Sequence, residues 1–167
     1  DLALFSAGAS RSREWAQGFA DAGALVVDNS SAFRMEPDVP LVVSEVNPDE
    51  IANAARGIVA NPNCTTMVVM LPAKALHDAY GMTAMVATSY QAAGGAGQKG
   101  IDELAAQIAP LAADVRQLCE DGAAAEAKVS PAVHARTLAF NVVPLLGTLG
   151  DDGHTDEERK LRDESRK

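Results

Sequence analysis

The sequence predicts an α/β fold with a parallel sheet, and three observations carry that expectation. Leu2-Ala3-Leu4-Phe5 and Ala24-Leu25-Val26-Val27 are short apolar runs of strand length. Between them, Ser10 to Ala22 has helical spacing, with Trp15, Ala16 and Phe19 on one face and Gly23 as its stop. Strand, helix and strand with short links make a βαβ unit, whose strands run parallel. The third observation is a strand-to-helix junction at Asn61-Pro62-Asn63-Cys64. Gly57-Ile58-Val59-Ala60 leads into it, and the apolar run Thr65 to Tyr80 leads out.

The remaining elements follow in chain order. Ser6-Ala7-Gly8-Ala9 is a turn of small residues. It either brings backbone close to a flat or charged group or simply closes a tight βα link. Asp28-Asn29-Ser30-Ser31-Ala32-Phe33-Arg34 sits at the C-terminal end of the second strand, where open α/β sheets bind ligands. Arg34 offers a fork that fits phosphate or carboxylate, a solvated loop arginine being the other reading. Leu41-Val42-Val43 should begin another strand, Asn47-Pro48 should turn the chain, and Asp49 to Arg56 should form a short helical stretch. Met67 to Leu71 is apolar all round, which predicts a buried helix. Pro72 is expected to kink or split that helix, and Gly81 to end it.

Met82 to Tyr90 reads as a strand. Gln91-Ala92-Ala93-Gly94-Gly95-Ala96-Gly97 follows as a Gly-rich turn before a helix, able to cradle phosphate or a cofactor but without the GxGxxG pattern. Ile101, Leu104, Ala105 and Ile108 form a helical core stripe, with Pro110 expected to interrupt it. Leu118 to Arg136 reads as a surface excursion, with Cys119 an incidental thiol and His134 a surface residue. Leu138 to Leu149 is an apolar stretch suited to a sheet edge or an interface. Thr155 then caps a helix, with Glu158 as its capping-box partner. Glu157 and Lys160 fall on one helical face, and Glu158 and Arg162 have pairing spacing, although a solvated charged helix explains the same pattern.

Composition narrows the function. The chain has 167 residues, enough for one domain or parts of two. With 47% hydrophobic and 22% charged residues it should bury a core. A net charge of −9 and the lack of a basic stripe exclude a nucleic-acid partner. Cys64 and Cys119 lack CxxC spacing, and His77, His134 and His154 are scattered, so neither a disulfide scaffold nor a metal site is expected. No apolar stretch reaches membrane length and no secretory pattern opens the sequence. No membrane partner is therefore expected, and the cysteine usage suits a reducing cytoplasm. The sequence opens without Met inside an apolar run and closes inside a charged helical run, so a piece cut at both ends is expected.

Cys64 is the residue with the most chemistry to offer. Asn63 is a good N-cap, which puts Cys64 in the first helical turn. Unpaired N–H groups and the positive end of the helix dipole favour a thiolate there, and a thiolate is a nucleophile. A buried structural cysteine is the competing reading.

With these blocks in order, the chain resembles the aspartate-β-semialdehyde dehydrogenases. The resemblance rests on LFSAG (Leu4 to Gly8), DNSSAFR (Asp28 to Arg34), DVPLVVSEVNP (Asp38 to Pro48), NPNC (Asn61 to Cys64), YQAAGGAG (Tyr90 to Gly97), FNVVPLLG (Phe140 to Gly147) and TDEERKLRDESRK (Thr155 to Lys167). It implies a bacterial enzyme that reduces β-aspartyl phosphate to aspartate semialdehyde with NADP(H), releasing phosphate through a cysteine thioester. It further implies Cys64 as nucleophile and Gln91 as the substrate-positioning residue. Asn63, Arg34 and Lys160 become substrate or phosphate contacts, and Glu157 the acid facing the substrate amine. Ser6, Ala7, Gly8, Gly95 and Gly97 become cofactor contacts, Gly94 standing where the family often has Ser. A homodimer is implied as well.

On this resemblance, residues 1–62 are the second half of a Rossmann-like NADP-binding domain. Residues 63–167 begin an α+β catalytic and dimerisation domain. The family's Gly-rich GxxGxxG turn and its catalytic His match no block here, so the chain alone is expected to be inactive. N-acetyl-γ-glutamyl-phosphate reductase shares the chemistry but typically has Gly where this chain has Asn63. A non-catalytic dimerisation or binding module is the reading from another class.

Overall fold

The computed structural model describes residues 1–167, which pack as two compact units. The first comprises residues 1–87 and 158–167, the second residues 88–157.

The first unit is built on a parallel sheet of three strands in the order β1 (Leu2–Phe5), β2 (Leu25–Asp28), β3 (Ile58–Ala60). Leu2 pairs with Leu25, and Val26 in turn with Ile58. Helix α1 (Ala9–Asp21) crosses between β1 and β2, so the βαβ expectation holds. Its apolar face is divided. Ala16 is fully buried with Val26 and Ile58, whereas Trp15 and Phe19 remain about half exposed, Phe19 meeting the Phe5 ring edge-on at 5.4 Å. Ala32, Phe33, Val39 and Leu41 close the core from the loop that follows β2. A buried carboxylate fixes the start of that loop. Asp28 accepts from the Ser12 hydroxyl at 2.7 Å, the Ser30 hydroxyl at 2.8 Å and the Ser30 N–H at 3.1 Å. The last contact is the Asx turn that Asp makes two residues on.

Leu41-Val42-Val43 does not extend into a strand. Only Leu41 bridges to Ala60, because the Asn47 side chain takes the Val43 N–H and the Leu41 carbonyl in a tight turn. Pro48–Asn53 forms a short 3-10 helix where a helical stretch was expected. Helix α2 (Cys64–Tyr80) runs unbroken through Pro72. The proline removes one N–H donor, and full turns on both sides carry the helix past it. Nor is α2 buried: only Thr66 and Ala73 are, while Val68, Leu71 and Leu76 are exposed. Apolar periodicity signals a face that needs a partner, and residues 81–87 of this unit run without regular structure.

The expected strand Met82–Tyr90 is absent, Val86 being 99% exposed. Its side chains suit a pleated surface, but a strand exists only where a neighbouring strand takes its N–H and C=O groups.

The second unit contains no strand pair. It holds a 3-10 turn at Ala93–Ala96, then α3 (Gly97–Ala112), α4 (Val115–Glu120) and α5 (Gly122–Glu126). Pro110 falls in the last turn of α3 and does not break it. Leu111, Ala125 and Ala139 form a small core with Leu104, Leu118 and Val129 against it. Leu118–Arg136 is therefore partly core rather than a surface excursion. His134 is likewise held, its Nδ1 2.7 Å from Glu103 Oε1 and its side chain only 14% exposed. Leu138–Leu149 forms no sheet edge beyond a single bridge from Leu149 to Thr155. Helix α6 (Asp156–Glu164) begins directly after Thr155, where the capping pattern placed it.

Candidate active site

The site begins with the register of the sheet. Asn61 N–H donates to the Asp28 carbonyl at 2.8 Å, so the turn after β3 leaves the sheet beside the end of β2. Asn63 is the N-cap of α2, its Oδ1 accepting the Thr65 N–H at 2.8 Å. Cys64 is therefore the first helical residue, with Sγ 3.9 Å from the same Asn63 oxygen. Its thiol is free and exposed, which removes the alternative of a buried structural cysteine. An anion formed at such a position meets the N-terminal end of a 17-residue helix.

Arg34 is bound to the same turn. Its Nε donates to the Asn61 carbonyl at 2.9 Å and its Nη2 to the Asn29 carbonyl at 2.9 Å. Its Nη1 lies 3.2 Å from Glu164 Oε1, and both side chains are almost wholly enclosed. Glu164 Oε2 takes the Asn63 N–H at 2.6 Å. One carboxylate thus bridges the guanidinium and the residue that caps the cysteine helix. Lys160 stands one turn before Glu164 on α6. At the C-terminal edge of α6, the Lys167 ammonium donates to the carbonyls of Arg34, Glu36 and Val39 at 2.6–2.8 Å.

A polar line crosses the ends of the three strands. Asn61 Nδ2 donates to Asn29 Oδ1 at 2.7 Å, and Asn29 Nδ2 to Ser6 Oγ at 3.3 Å. Ser6, Ala7 and Gly8 make the link from β1 to α1. Gly8 has φ 91°, and a side chain there would meet nothing within 4 Å. Helix α1 starts without a side-chain cap and without an acid in its first turn. Open space, a left-handed glycine and an uncapped helix start fit the approach of a dinucleotide's phosphates.

Gln91, Gly95, Gly97 and Glu157 lie in the second unit. Gln91 is exposed, with Nε2 3.5 Å from Ser89 Oγ. Gly95 lies in the 3-10 turn, and Gly97, at φ 72°, opens α3. Gly100 and Gly147 are tight glycines of this unit, since a Cβ would meet the Ala93 carbonyl oxygen at the first and the Asp156 carboxylate at the second. No group of His, Cys, Asp and Glu side chains is arranged to hold a metal ion, and no helix is long and apolar enough to cross a membrane.

Against known families, the model described as "Semialdehyde dehydrogenase, NAD binding domain" matches residues 1–54, and "Semialdehyde dehydrogenase, dimerisation domain" matches residues 73–167. The chain belongs to the semialdehyde dehydrogenase family. The first of these matches assigns a nicotinamide dinucleotide as the cofactor class. Among curated relatives, the aspartate-semialdehyde dehydrogenase of Mycolicibacterium smegmatis is 53% identical across 100% of this chain and 49% of its own length. That of Streptomyces akiyoshiensis is 51% identical across 100% of this chain and 50% of its own. Among solved structures, aspartate semialdehyde dehydrogenase II of Vibrio cholerae, complexed with ASA, is 41% identical with a TM-score of 0.86. That alignment covers 99% of this chain and 46% of the other. The chain spans about half the length of the curated relatives it matches.

Sequence reasoning passed over Glu164. It sits in a run of charges that reads as a solvated helix, yet it is 6% exposed. Its one signal was its spacing of four from Lys160, which put it on the same helical face.

Proposed function

We propose that this chain carries the nucleophile and phosphate contacts of a bacterial aspartate-semialdehyde dehydrogenase. The proposed reaction is the NADPH-dependent, reversible conversion of L-4-aspartyl phosphate to L-aspartate 4-semialdehyde. It would serve lysine, threonine, methionine and diaminopimelate synthesis in the cytoplasm. The observation that carries the reading is the exposed Cys64 at the start of α2, on the turn that the Arg34 guanidinium also binds. The names of the relatives support the same reading.

Cys64 Sγ attacks the acyl carbon of the aspartyl phosphate, the C–O bond to phosphate breaks, and a thioester remains on Cys64. Arg34 and Lys160 stabilise the departing phosphate, the first as a planar fork and the second as a point charge. Backbone N–H groups at the start of α2 face the charge that develops on the acyl oxygen. Asn63 holds that turn, Gln91 orients the acyl group, and Glu157 binds the substrate ammonium. Ser6, Ala7 and Gly8, with Gly95 and Gly97, hold NADP(H), which supplies the hydride when bound.

We assign residues 1–62 to the cofactor domain and 63–167 to the catalytic and dimerisation domain of a homodimer, in line with the dimerisation-domain match. In the full-length protein, Cys64→Ala should lower kcat on the order of 10^4-fold or more. Cys119→Ala should leave kcat nearly intact. Mass spectrometry after a vinyl sulfone should find the adduct on Cys64, and preferential labelling of Cys119 would overturn the assignment.

A further inference from the structure

We propose that Glu164 is a positioning residue for this reaction, acting through Arg34. The inference rests on the reading of Arg34 as a phosphate contact. A carboxylate this enclosed is retained only where donors satisfy it. Here the donors are Arg34 Nη1 on one oxygen and the Asn63 N–H on the other. The second contact matters because Asn63 is the N-cap: its carbonyl accepts the Met67 N–H at 2.9 Å, but its own N–H has no acceptor within α2. Arg34 in turn bonds the carbonyls of Asn29 and Asn61. The guanidinium is thereby pinned at three points, and its remaining N–H groups keep one orientation.

The fork, the capping residue and the cysteine are held as one rigid set, with Glu164 as the piece contributed by α6. A long arginine without that anchor has several rotamers, and a phosphate would have to select one of them at an entropic cost. Lys160 lies one turn away on the same helix. The role requires a charged acceptor on both oxygens. Gln in its place turns an NH2 group toward one of the two donors.

The test is a double-mutant cycle in the full-length enzyme, assayed in the phosphate-consuming direction. Glu164→Gln should raise the KM for phosphate about tenfold, the scale of one charge-assisted hydrogen bond, with little change in the KM for the aldehyde. In an Arg34→Ala background the same substitution should change the phosphate KM less than about twofold, because its effect is transmitted by Arg34. Glu164→Asp, which keeps the charge on a shorter arm, should fall between wild type and Glu164→Gln. If Glu164→Gln does not yield folded protein, the cycle is run with Glu164→Asp. Additive effects of Arg34 and Glu164 substitutions on the phosphate KM would overturn the inference and leave the phosphate role of Arg34 standing. An unchanged phosphate KM in Arg34→Ala alone would overturn both. Equal loss of kcat with both KM values unchanged would mark Glu164 as merely structural and overturn the inference.

Discussion

The two units solve the same problem in different ways. Both must give partners to backbone N–H groups that lie in no helix. In the first unit a parallel ladder does this, with Val26, Ile58 and Ala60 wholly buried around it. In the second unit side chains take over. Glu103 on α3 accepts the N–H groups of Ala132, Val133 and His134, and Gln107, four residues on, accepts those of Leu138 and Ala139. A ladder is made of neutral groups and depends on packing. A carboxylate clamp depends on its own ionisation. The loops of the second unit should therefore answer to pH through Glu103, where the sheet of the first answers to changes in volume.

The largest expected effect breaks the first unit. Ile58, on the outer strand β3, is fully buried in the core with Ala16 and Val26. Ile58→Ala should cost about 2–5 kcal/mol, read as a lower urea midpoint at unchanged slope in the full-length protein. A loss no larger than that of a surface substitution would show that β3 is not the packing centre.

The next effect sharpens the contrast through Glu103. Burial acts to raise its pKa, but the N–H donors of Ala132, Val133 and His134 and the His134 side chain outweigh it. Together they hold the carboxyl down at about 2, against an ordinary 4.5. Its folded pKa lies below its unfolded one, so its contribution is complete above 4.5 and is lost as pH falls toward about 2. The stability gap between wild type and Glu103→Gln should accordingly close on acidification through that window. A gap that stays constant would remove the pH-sensitive half of the comparison.

The smallest effect concerns the apolar segment that neither device holds. Val86 is 99% exposed, so Val86→Ser should change stability by less than about 0.5 kcal/mol. A larger loss in the full-length protein would mean that a surface outside this chain covers Met82–Tyr90.

Local pattern determined much of this protein. Alternating short apolar runs and an amphipathic helix fixed β1, α1 and β2, since those patterns report directly which faces can be buried. Asn63 before an apolar helix fixed the N-cap and thereby the place of Cys64, since capping depends on residues only two or three positions apart. The Ser6–Gly8 turn and the polar run after β2 were legible for the same reason. Contacts between distant residues were decided by the tertiary structure alone. Met82–Tyr90 has strand composition but no strand, because pairing needs an available edge. Helix α2 is apolar yet largely exposed, because burial needs a facing element. His134 became a partner of Glu103, and Glu164 became the buried bridge between Arg34 and Asn63. A charged residue in a sequence carries no mark of what will desolvate it, and only the packed chain supplies the opposite charge and the enclosure.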